Sequence, residues 1–81
     1  MIIHMYFEWD EKKNIENSMK HHISFEEAQN AFFDTKRILI KDIKHSKTEE
    51  RFFCIGNTGE GIATVRFTMR NENIRIIGAG Y

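Results

Sequence analysis

Eighty-one residues, 41% hydrophobic and 12% aromatic, make one small globular domain over residues 1–81 that buries only part of its unfolded surface. Twelve basic residues balance twelve acidic ones, which excludes a global basic field for nucleic acid, so any anion site has to be local. A single cysteine excludes a disulfide framework and suits a reducing cytosol, and no run of about 18 apolar residues marks a membrane span.

The opening MIIHMYFEW mixes apolar, aromatic and β-branched residues, so residues 2–9 read as a first strand. In DEKKNIENSMKHH the i,i+4 spacing of Ile15 and Met19 predicts a mostly solvated helix with a narrow apolar stripe. HISFEEAQNAFFD carries a capping box, Ser24 with Glu27, and places Phe25, Ala28 and Phe32 at i, i+3 and i+7 of a second helix. From residue 36 the period becomes two. RILIKDI, ERFFCIG, GIATVRFTM and NIRIIGAG read as four strands, joined by the loop KHSKTE and the turns NTGE and RNEN. The expected fold is α+β, in the order β-α-α-β-β-β-β, with two helices on one face of an antiparallel sheet.

Register decides where the charges fall. If Asn71 and Glu72 form a two-residue loop, Thr68 faces Arg75 and Arg66 faces Ile77, with Val65, Phe67, Met69, Ile74 and Ile76 in the core. If NTGE closes the preceding hairpin with Gly56 opposite Gly61, Phe52 and Cys54 also face the core and Arg51 falls opposite Arg66. Three arginines, Arg51, Arg66 and Arg75, then share the other face with Phe53, Ile55, Ile62 and Ile77. Like charges opposed across strands repel, so such a cluster points to an anionic ligand, a phosphate above all, or to nearby carboxylates such as Glu49 and Glu50.

His45 in the loop KHSKTE, before the strand that carries Arg51, is either a general acid or base or a solvated loop residue. Lys20, His21 and His22 end the first helix, where cations suit the negative end of its dipole. No histidine or cysteine spacing forms a metal site, no glycine-rich loop cradles a cofactor phosphate, and Cys54 reads as an inert core thiol.

FEWDEKKNIENSMKHHISFEEAQNAFFD resembles the start of BrnT-type toxins, whose pattern runs F-x-W-D, a helix with an asparagine, K-H-G, a hydrophobic residue, S-F-E-E-A and F-x-D. ERFFCIG is similar to that family's E-R-x-x-x-I-G strand and IRIIGA to its R-I-I-S-A segment. The resemblance implies a RelE-like ribonuclease fold, the toxin of a type II toxin–antitoxin pair, held inactive by a BrnA-like antitoxin. It further implies cytoplasmic cleavage of mRNA during translation, with no cofactor, metal or membrane, by attack of the substrate's own 2′-hydroxyl on the adjacent phosphate.

By position Arg51 and Arg75 match motif arginines and Lys20 and His21 match the K-H pair, while Arg66 rests on strand counting. The expected catalytic set is Arg51, Arg66, Arg75, His45 and Glu50, with Lys20, His21 and Lys44 holding RNA. The sequence departs from the pattern at His22, where glycine is usual, and at Gly80, where the family has a second arginine. It also ends at Tyr81, where relatives continue into a basic C-terminal helix. Those departures favour an alternative, a toxin-like module that binds an antitoxin without cleaving RNA. A third reading is an interaction domain that offers its sheet edge to a partner strand.

Overall fold

In the computed structural model, residues 6–81 are described. The order is β1 (Phe7–Glu8), α1 (Glu11–His21), α2 (Phe25–Ala28), a 3-10 turn (Gln29–Phe33), β2 (Ile38–Lys41), a second 3-10 turn (Ile43–His45), β3 (Arg51–Asn57), β4 (Ile62–Arg70) and β5 (Asn73–Gly80). The five strands form one sheet in the order β1-β5-β4-β3-β2. It is mixed rather than wholly antiparallel, because β1 runs parallel to β5 while the other neighbours are antiparallel. The chain reaches β5 as the last strand of the β2–β5 meander, on the side where β1 lies. Of the expected first strand, residues 2–5 lie outside the described residues.

Asp10 starts α1, its carboxylate accepting from the Lys12 and Lys13 N–H groups. The expected apolar stripe is not its buried face: Ile15 is 54% and Met19 77% exposed, whereas Asn14 is 4% exposed. Asn14 donates to Glu11 (3.0 Å) and Glu26 (2.7 Å) and accepts from the Phe25 N–H (2.7 Å), joining α1 to α2. Asn17 donates to the carbonyls of Ile23 and Ala79 and accepts from the Ala79 N–H. Its carboxamide thereby takes the place of a strand partner for β5, beyond the point where β1 ends. α1 therefore lines the sheet's β5 edge, and α2 with the following 3-10 turn covers the face.

His22 ends α1 in the left-handed conformation, φ 58°, with its N–H donating to the Ser18 carbonyl. Only glycine adopts that conformation freely, so His22→Gly is expected to raise stability by about 1 kcal/mol, or roughly 4–8 °C in Tm. Thermal unfolding of the two proteins measures this, and an unchanged or lower Tm would refute it.

Ser24 caps α2 by accepting from the Glu27 N–H (3.0 Å), and its hydroxyl donates to the Glu27 carboxylate. Phe25, Ala28, Ala31 and Phe32 pack on Cys54, Ala63, Val65, Phe67, Ile74, Ile76 and Ala79. Phe32 stands edge-on to Phe67 (5.0 Å) and to Phe7 (5.2 Å). Burial pushes the Cys54 thiol up to about 11, so it stays protonated and inert at neutral pH.

Both hairpins keep the expected faces but not every expected pair. Asn71 and Glu72 form the two-residue loop with φ of 51° and 68°, the signature of a type I′ turn, and Thr68 faces Arg75. A bulge beside Arg66 and Phe67 then leaves Ile77 unpaired, so Arg66 faces Gly78 instead of Ile77. The other loop begins later than NTGE suggests. The Asn57 side chain accepts from the Gly59 N–H (2.7 Å), and Thr58 N–H donates to the Gly61 carbonyl (3.0 Å). Gly56 consequently pairs with Ala63, not Gly61, and Arg51 pairs with Thr68, not Arg66. A shift of two residues conserves the pleat, which is why the core set survives. Met69 alone among that set is half exposed.

Candidate functional site

The face opposite the core carries the three arginines in two different settings. Arg51, Thr68 and Arg75 lie in one row across β3, β4 and β5, each arginine opposite the threonine. Thr68 is buried and donates to the Glu50 carbonyl (2.6 Å). Each arginine of the row meets a carboxylate: Arg75 donates to Glu8 at 2.8 Å, and Arg51 lies 3.7 Å from Glu49, which also reaches Arg70 at 3.5 Å. The expected direct repulsion between Arg51 and Arg66 is therefore absent. One polar atom of the row, the Arg51 Nε, is buried without a hydrogen-bond partner.

Arg66 sits two residues along β4, about 7 Å by strand rise, and among the described residues it has no ion-pair partner. Its guanidinium lies against Gly78, where an added Cβ would come within 2.8 Å of the terminal nitrogen and 3.3 Å of Nε. The bulge makes this possible by placing the glycine, rather than Ile77, opposite the arginine. α1 brings the remaining cations. A cleft of about 250 Å³ is lined by Lys13, Glu16, Asn17, Lys20, His21, Arg66 and Ile77. A neighbouring one of about 230 Å³ shares Asn17, His21 and Arg66 and adds Phe53 and Thr64. Because Asn17 clamps α1 to Ala79, the end of that helix is held beside β5, and Lys20 and His21 line a cleft together with Arg66.

Of the residues singled out from sequence, Arg66, Lys20 and His21 are thus brought together. Arg51 and Arg75 share their face at the adjoining row. His45, Glu50 and Lys44 do not line the Arg66 clefts. His45 stands at the Arg51 end, its Nδ1 2.9 Å from the buried Asp42 carboxylate, and its loop closes through Asp42 N–H to the Arg51 carbonyl (2.7 Å). Glu50 pairs with Lys41 at 3.2 Å, and Lys44 is exposed. Lys13, Asn17 and Gly78 were not singled out; the motif asparagine was the one signal available, and only the fold shows which asparagine faces the sheet. Among the described residues, no group of three or more His, Cys, Asp and Glu gathers as a metal site. Nor is any helix there long and apolar enough to cross a membrane.

Gly78→Ala is expected to displace the Arg66 guanidinium while leaving the sheet intact, lowering activity that depends on it by about tenfold to a hundredfold. Parallel assays of RNA cleavage and thermal unfolding test this; full activity in a folded variant would show that the arginine's position is immaterial.

Fold and face together define a small α+β protein with a cleft between a helix end and a bulged strand pair, lined mainly by basic side chains. Residues 9–81 match the model of the BrnT ribonuclease toxins of type II toxin–antitoxin systems, and the chain belongs to that family. No curated protein matches it. A ribonuclease toxin of this class implies an antitoxin partner.

Proposed function

We propose that this chain is a metal-independent endoribonuclease that cleaves mRNA at the Arg66 cleft. The observation that carries the reading is an arginine with no ion-pair partner among the described residues, set against a glycine in a cleft that Lys13, Lys20 and His21 line with one carboxylate, Glu16. A guanidinium fork suits two phosphate oxygens, and it would stabilise the extra charge that the phosphate gains as the attacking oxygen arrives. In the reaction the RNA 2′-oxygen bonds to the adjacent phosphorus and the bond to the 5′-oxygen breaks. His21, which lines both clefts, takes the 2′-hydroxyl proton, and the Lys20 ammonium gives a proton to the leaving 5′-oxygen. The products are a 2′,3′-cyclic phosphate and a 5′-hydroxyl.

Arg51 and Arg75 act at the adjoining row, where they hold the next phosphate with His45 near its Arg51 end, Glu50 orients Lys41 rather than meeting RNA, and Lys44 extends the cationic path. The fold is read as RelE-like, the partner as a BrnA-like antitoxin, and the setting as the cytoplasm, on translating RNA. The second reading, a toxin-like module that holds its antitoxin without cutting RNA, draws support from Arg51 and Arg75 being matched by Glu49 and Glu8.

Incubating the purified protein with single-stranded RNA in excess EDTA tests the proposal. Cleavage that persists and leaves cyclic-phosphate ends is the expected result. Cleavage only with added magnesium would overturn the chemistry, and no cleavage by folded protein would favour the antitoxin-holding module.

A further inference from the structure

β2 ends the sheet, and no strand among the described residues covers its outer side. An edge strand of this kind normally carries charge along its length to discourage pairing. Here three consecutive apolar residues, Ile38, Leu39 and Ile40, are 54%, 55% and 48% exposed, and Lys41 is the strand's one charge. Asp42 N–H donates inward to the Arg51 carbonyl, and β2 pairs with β3 in antiparallel register. By the alternation of that ladder, Ile38 and Ile40 bond inward, and the N–H and C=O groups of Leu39 and Lys41 point outward.

The flanks decide what can pair there. Between residues 36 and 47 stand Lys36, Arg37, Lys41, Lys44 and Lys47 against one carboxylate, Asp42, which His45 engages. Nearby, Glu50 pairs with Lys41, and Asp34 accepts from the backbone of Lys36 and Asn57. A second copy fits poorly. Antiparallel self-pairing centred on Leu39 sets Arg37 opposite Lys41 twice, and pairing centred on Ile40 sets Leu39 opposite Lys41.

We infer that the outer edge of β2 docks an extended segment of a partner protein, apolar in its middle and acidic at its ends, as an added strand. The inference does not rest on the arginine face cutting RNA.

The probe is a synthetic peptide of alternating valine and threonine flanked by aspartates, titrated into the full chain with amide exchange and affinity as readouts. Slowed exchange at Leu39 and Lys41 is expected. Leu39→Pro removes one outward N–H, leaves the inward bonds to β3 in place, and should abolish binding. Lys36→Glu with Lys41→Glu should weaken the aspartate-ended peptide by about tenfold or more and strengthen a lysine-ended one. That swap of preference is beyond what a merely unfolded variant could give. Unchanged affinity after the charge reversal would overturn the proposal, as would protection elsewhere than β2. Protection of β2 in the protein alone with doubled mass would assign the edge to a second copy. Protection of the same amides by an RNA oligomer in place of the peptide would assign it to nucleic acid.

Discussion

Arg66→Ala is expected to lower RNA cleavage by about a hundredfold to a thousandfold and to abolish growth arrest on induced expression, with the protein still folded. The side chain is exposed, pairs with no carboxylate among the described residues and packs on a glycine, so its removal should cost stability no more than about 0.5 kcal/mol. Among the three arginines of this face, it removes the one that has no carboxylate partner among the described residues. RNA affinity should fall and its salt slope should flatten by about one unit, as one phosphate contact is lost. Arg66→Lys keeps the charge without the fork and should fall between the two. Arg75→Ala differs in kind, because it leaves Glu8 without its cation and so affects folding together with any effect on rate, whereas Arg51→Ala leaves Glu49 with Arg70. Wild-type cleavage by a folded Arg66→Ala protein would remove the cleft from the mechanism.

Asn14→Ala should have the largest effect on stability. Three hydrogen bonds meet at this 4% exposed side chain, two donated to Glu11 and Glu26 and one accepted from the Phe25 N–H. Alanine leaves the Phe25 N–H buried without a partner and unlinks α1 from α2, at a cost of about 2–3 kcal/mol. In a domain of this size that corresponds to a drop of roughly 10–20 °C in Tm. Because α1 presents Lys20 and His21 to Arg66, activity should decline before the protein unfolds globally. A thermal midpoint within a few degrees of wild type would show that Phe25 N–H finds water or another acceptor.

Much of this was legible in the chain. Period-two alternation from residue 36 onward assigned Val65, Phe67, Ile74 and Ile76 to one face and Arg51, Arg66 and Arg75 to the other. A two-residue register error cannot change that assignment, since the pleat repeats every two residues. Asn71 and Glu72 announced their turn, Ser24 its helix cap, and the motifs from Trp9 onward announced the family.

Other features depend on contacts distant in sequence. Ile15 and Met19 look like a buried stripe because apolar spacing is counted along one helix, yet that helix meets a strand edge, whose backbone asks for the carboxamides of Asn14 and Asn17. The bulge at Ile77 sets which residue underlies Arg66, and it lies in β5 between the stretch paired with β1 and the stretch held by Asn17 of α1. Local pattern determines which way a side chain faces. Which charges remain unpaired, and so free to meet a phosphate, depends on partners such as Glu8 for Arg75, 67 positions away. The cleft therefore exists only in the folded chain.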